Sequence, residues 1–229
     1  MNENMNITKD PVYQDCFKLR QQRGFSKLGL SSAISWHDDP KRMAFLFSRY
    51  KFVAKMLEGY DKVLEIGCGD AFASRVVAQH VKRLVVTDFD PAFIDDAKKI
   101  MAQPWNFECE VHDILQASFK EKNFNGAFSL DVLEHFEVSK EEEYFKNIIE
   151  CLAPDGTFIV GMPTINSQRF ASPRSKLGHV NCKSLPELKK VCENFFHTCF
   201  GFCMNDEVVH TGFHEMANYI LVVCCHPKT

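Results

Sequence analysis

Between residues 62 and 90 the chain reads KVLEIGCGDAFASRVVAQHVKRLVVTDFD, and no other stretch limits the fold as tightly. A short apolar run ends in Glu65. A glycine pair follows, Gly67 and Gly69 with Cys68 between them. A helical stretch comes next, and a second apolar run ends in Asp88 with Phe89 beside it. Strand, tight turn, helix, strand and acid in that order form half of a doubly wound α/β unit. Glycine at the turn lets the backbone bend sharply and lets a ligand approach, because no Cβ stands in the way.

The acid at the tip of the second strand is placed to accept hydrogen bonds from ribose hydroxyls, which points to an adenosine-containing ligand. Asp90, two residues on, competes for that role. It precedes Pro91, however, and reads better as a helix N-cap with proline at the first helical position. A dinucleotide fingerprint needs a third glycine where Phe72 stands, and no Gly-Lys-Ser or Gly-Lys-Thr phosphate loop occurs.

What remains, Glu65-x-Gly67-x-Gly69 with Ala71 where a further glycine often sits, resembles the first motif of class I S-adenosylmethionine (SAM) methyltransferases. Later segments resemble that family's other motifs in order. Asp88 matches the ribose acid. Asp113-Ile114 in VHDIL matches the position facing the adenine amino group. FNGAFSLDVLEHF (124–136), including Asp131, matches the fourth-strand motif, and LAPDGTFIVGMP (152–163) the turn into the fifth strand. Two positions depart from the pattern. Asn125 replaces a common Asp, and Pro154-Asp155-Gly156 replaces a Gly-Gly turn. The resemblance implies SAM as cofactor, S-adenosylhomocysteine as product and a Rossmann-like sheet of seven strands, mostly parallel with an antiparallel C-terminal strand.

Composition fits one such domain. With 229 residues, a domain over 61–229 leaves an N-terminal helical extension or lid of about 60 residues, 1–60. Hydrophobic residues make up 45% and charged residues 25%, ordinary for a globular protein. The net charge of −3 and the lack of a basic stripe speak against nucleic acid as a partner. No apolar run approaches the roughly 18 residues of a membrane helix. The ten cysteines are scattered, often in apolar runs and without Cys-x-x-Cys spacing, so they read as reduced small hydrophobes of a cytoplasmic protein. A homodimer is one expectation for the assembly.

Alternation places strands near 62–67, 83–88, 106–111, 125–131, 157–162, 198–204 and 217–225. Helices fall near 40–58, 71–80, 91–102, 140–152 and 184–195. Asp39 and Pro40 open the first helix and Gly59 ends it. Ser184 and Glu187 form a capping-box pattern for the last. The polar start, residues 1–10, reads as frayed, and residues 163–183 read as a long polar loop over the acceptor side.

SAM carries its methyl on a sulfonium, already activated, so the protein mainly has to align the acceptor. A hydroxyl acceptor must also lose a proton, which calls for a base or a cation. Asp131, Glu134 and His135 share i,i+3 and i,i+4 spacing and would lie on one face of a helical turn. Val-Leu-Glu-His is similar to the ubiquinone-biosynthesis O-methyltransferase group, where these positions imply a divalent cation; the reading preferred here is no metal, with Glu134 and His135 fixing the turn and flanking the SAM pocket. His179, His210 and His214 are the other candidate bases. Arg169, Arg174 and Lys176 could hold an anionic acceptor, or simply be solvated. Trp36 and Arg49 are candidate contacts to SAM from the segment before the first strand, with Tyr50 as a packing residue. The expected reaction is methylation of a hydroxyl on a small molecule or sugar. N-methylation of an amine or protein side chain, and SAM binding without turnover, are the alternatives.

Overall fold

The computed structural model describes residues 8–101 and 107–228. The expected strand start at residue 106, the helix end at 102 and most of the polar start lie outside the described residues. Eight strands form one sheet: β1 (Lys62–Ile66), β2 (Arg83–Asp88), β3 (Glu108–Val111), β4 (Phe124–Leu130), β5 (Leu152–Pro163), β6 (Phe196–Asn205), β7 (Val208–His210) and β8 (Tyr219–Pro227). Their order is β3-β2-β1-β4-β5-β8-β6-β7. The first five pair in parallel, while β8, β6 and β7 pair antiparallel. The architecture is α/β, doubly wound and Rossmann-like, with the last strand inserted between β5 and β6. The count corrects the expected seven. Val208–His210 turns back on β6 as a three-residue edge strand, too short to leave a periodic signal of its own.

Apolar residues of the central strands alternate between the two sheet faces, as a sheet buried on both sides requires. Val63, Leu84 and Val86 pack with α3 (Lys41–Met56), α4 (Ser74–Ala78) and α5 (Pro91–Ile100). Leu64, Ile66 and Val85 face the layer of α6 (Glu141–Ile149) and α8 (Leu185–Phe195). In α3, Val53 and Ala54 are fully buried, as is Leu57 just beyond it, so this part of the expected extension belongs to the core. Met56, at the end of α3, is exposed although apolar. Asp90 caps α5, accepting the Ala92 N–H at 2.8 Å with Pro91 at the first helical position. Ser184 and Glu187 close the expected capping box on α8.

Two further helices precede α3. They are α1 (Gln14–Arg23), which buries nothing, and α2 (Leu30–Asp38). Sequence pattern did not announce α2. Its N-terminus is held by carboxylates from elsewhere: Asp70 accepts from the Ser32 N–H at 2.7 Å and the Ser32 hydroxyl at 3.0 Å, and Asp96 accepts from Leu30 N–H at 2.7 Å. Two acids at the positive end of a helix satisfy its free N–H groups and its dipole together. The polar loop also contains α7 (Pro173–Gly178) and a 3-10 turn over Ile165–Phe170. All ten cysteines carry free thiols. No helix among the described residues is long and apolar enough to cross a membrane.

Candidate active site

The carboxyl ends of the parallel strands surround a cavity of about 880 Å³, roofed by α2 and α3. At its floor is the glycine turn. Gly67 lies at φ +75° and Gly69 at φ +54°, the left-handed region that glycine enters freely. A Cβ on Gly67 would stand 2.2 Å from Val132 Cγ2, so two chain segments meet there with no room for a side chain. Asp88, at the end of β2, takes the Gly69 N–H at 2.9 Å and the Asp90 N–H at 3.0 Å, one on each carboxylate oxygen. Each oxygen keeps a lone pair for a ligand hydroxyl. Burial raises the Asp88 carboxyl, against the pull of those backbone donors.

Other expected residues divide by position. Cys68, Phe89, Asp113, Ile114, Asp131 and Arg49 line the cavity with the glycines and Asp88. Glu65 does not. It is buried beneath the wall, where the Tyr50 hydroxyl donates to one oxygen at 2.7 Å and the other oxygen has no partner among the described residues. Burial pushes its carboxyl up to about 7. Trp36 lies on α2, exposed and away from the lining, while Ser32 and Ser35 of the same helix face inward. Arg49 donates to Asp131 at 2.8 Å and stacks 3.8 Å from the Tyr219 ring centroid. Burial works against the Arg49 charge, but Asp131 outweighs it, so the guanidinium holds its proton more tightly than usual.

Sequence reading missed Arg42. It stands two turns before Arg49 on α3 and lines the cavity, forming no ion pair among the described residues. The i,i+7 spacing to Arg49 was the available signal. With Arg42 on the roof, a glycine floor and a carboxylate at the rim, the lining offers a cation, bare backbone and a hydroxyl acceptor, a donor and acceptor set that fits SAM.

Asp131, Glu134 and His135 do not share one face. Asp131 sits at φ +58°, and a 3-10 turn begins only at Leu133. Asp131 therefore turns to Arg49, Glu134 inward and His135 to the cavity wall. The structure gathers a different trio. One ligand atom each from Glu134, His135 and His179 lie within 4.8 Å of one another, and this replaces the set Asp131, Glu134 and His135. Glu134 is fully buried with both carboxylate oxygens unpartnered among the described residues. Burial, then Asp131, raises its carboxyl well above the ordinary range. The His135 and His179 rings meet edge to face at 5.1 Å, and burial with its neighbour His135 lowers the His179 pKa. Among the described residues this is the one cluster with the donor set of a divalent cation.

His210 and His214 lie apart from the cavity lining. His210 bridges its own hairpin, with Nε2 2.7 Å from Asn205 Oδ1 and Nδ1 accepting the Gly212 N–H at 2.9 Å. His214 starts a 3-10 turn before β8. Of the loop cations, Lys176 donates to the Arg169 carbonyl at 3.4 Å, and Arg169 covers the Phe170 ring.

Residues 63–156 match the family model described as a methyltransferase domain. With the strand order, the glycine floor and the acids at the strand ends, that stretch has the fold and motifs of a class I SAM-dependent methyltransferase domain. Among characterised relatives, nodulation protein S of Rhizobium tropici is 29% identical over 109 residues. That match covers 47% of this chain and 45% of the relative, so it spans less than half of either. The N-methyltransferase NodS from Bradyrhizobium japonicum WM9 superposes with a TM-score of 0.59 at 21% identity, over 83% of this chain and 99% of that one. A TehB-like SAM-dependent methyltransferase from Corynebacterium glutamicum gives 0.60 at 17% identity, over 96% and 100%. At these identities the structural likeness speaks for the fold.

Proposed function

We propose that the protein transfers the methyl group of SAM to a hydroxyl of a small-molecule or sugar acceptor. SAM supplies an activated methyl; the chain's own residues have to hold it, exclude water and take a proton from the acceptor. Asp88 and the glycine turn hold the adenosine end, and Arg42 suits the methionine carboxylate. The acceptor then enters beside His135 and Phe136, both on the cavity wall.

One observation carries the hydroxyl reading. A buried carboxylate without hydrogen-bond partners faces two imidazoles at the acceptor side. That arrangement serves either as a base or as a site for a divalent cation, which would lower the pKa of an acceptor hydroxyl bound beside it. Glu134, His135 and His179 would hold such an ion. His135→Ala should lower kcat by roughly a hundredfold or more while SAM affinity stays within about twofold. Unchanged turnover would sink this role.

Likeness to an N-methyltransferase favours a second reading, methyl transfer to an amine. Turnover with 13C-methyl SAM over a panel of hydroxyl and amino acceptors separates the two, because the carbon shift of the product methyl differs between oxygen and nitrogen. No product from any acceptor, together with tight SAM binding by calorimetry, would favour a SAM-binding module without catalysis.

A further inference from the structure

The segment after β5 determines which ring nitrogen each site histidine presents. His135 Nδ1 lies 2.9 Å from the Gly178 carbonyl oxygen, and His179 Nδ1 lies 2.9 Å from Gln168 Oε1. A carbonyl oxygen can only accept, so each Nδ1 carries the proton and each Nε2 keeps its lone pair while the rings are neutral. The Gln168 amide cannot simply turn over. Its Nε2 donates to the Thr164 carbonyl at 3.2 Å, and the buried Thr164 hydroxyl donates to the Ala217 carbonyl at 2.9 Å. A chain of bonds thus runs from Ala217, two residues before β8, through Thr164 and Gln168 to the ring of His179.

We propose that Gln168 is a positioning residue for His179. Its side-chain carbonyl fixes the ring in the Nδ1–H tautomer and leaves the Nε2 lone pair to the cluster with Glu134. Its functional meaning rests on the reading of that cluster as a base or cation site; the tautomer itself does not. Imidazoles that ligate metals through one nitrogen commonly donate the other N–H to a carbonyl or carboxylate, and losing that partner costs about 10–100-fold in metal affinity.

The test is a long-range 1H–15N spectrum of the 15N-histidine-labelled protein without added metal, at a pH above the ordinary imidazole range. Wild type should show His179 protonated at Nδ1 alone. Gln168→Met removes the acceptor at similar length and should give a mixture of tautomers, while Gln168→Glu, which restores an acceptor, should give back the single form. Calorimetric titration with Co²⁺ should weaken roughly 10–100-fold in Gln168→Met and remain near wild type in Gln168→Glu and in the exposed neighbour variant Arg169→Ala. A wild-type His179 protonated at Nε2 overturns the inference whatever the variants do, and so does a Gln168→Met spectrum that keeps the single Nδ1–H form. Absence of Co²⁺ uptake by the wild type would instead remove the cation reading, and the spectra would still decide the role of Gln168.

Discussion

Replacing Gly67 by alanine tests the tightest contact in the molecule. Gly67 sits at φ +75°, and left-handed backbone costs an alanine about 1–2 kcal/mol. The added methyl would also meet Val132 Cγ2 at 2.2 Å, an overlap that neither backbone segment can relieve by rotating a long side chain. Overpacking of this kind costs about 1–3 kcal/mol more, for a total of about 2–5 kcal/mol. The two contributions separate in a second background. With Val132→Ala the clashing Cγ2 is gone, and the nearest remaining Val132 atom, Cβ, lies at 3.5 Å, an ordinary contact. Gly67→Ala should then cost only the backbone share, about 1–2 kcal/mol. Urea unfolding of wild type, both single variants and the double variant, followed by far-UV circular dichroism, closes the cycle. The expected coupling is about 1–3 kcal/mol favouring the double variant. Additivity within about 0.5 kcal/mol would show that the clash is not what makes glycine necessary there.

Three further expectations concern charge. Asp88→Ala should weaken SAM binding by roughly 10–100-fold in calorimetry, since hydrogen bonds to a charged group are worth about 1.5–3 kcal/mol; unaltered affinity would remove Asp88 from the sugar site. In the folded chain the Glu65 carboxyl titrates at about 7 instead of 4.5, so the folded state holds this proton more tightly and stability falls as pH rises through that window. Glu65→Gln should flatten the fall, and a wild-type-minus-variant difference in urea midpoint that stays constant across the window would contradict it. Lys183 contacts Glu141 at 2.6 Å and Asn181 at 2.9 Å in a buried knot. Lys183→Met should cost about 3–5 kcal/mol by leaving the acid without its cation, and adding Glu141→Gln should recover much of the loss; equal instability of both variants would refute the pairing.

Much of the cavity floor was legible because its signals are local. The glycine turn, Asp88 and the Asp90–Pro91 cap each depend on neighbours within a few residues, where spacing and backbone preference speak directly. The missed parts depend on distance along the chain. α2 is anchored by Asp70 and Asp96, and its serine-rich start gave no periodic cue. His135 reaches Gly178 across 43 residues, and only folding of the polar loop brings His179 beside Glu134. The spacing of Asp131, Glu134 and His135 misled for a local reason. A left-handed residue at 131 breaks the helical face before it forms.

The insertion of β8 between β5 and β6 bears on how the chain is made. The β6–β7 hairpin has no neighbour on the growing sheet until residues 219–227 exist, so during synthesis it waits with one ladder of backbone groups unmet. Phe196, whose partner in that ladder is Pro227, lacks this neighbour in the interval. A ribosome pausing just short of this strand would therefore display a sticky, half-built edge, the kind of surface that chaperones patrol.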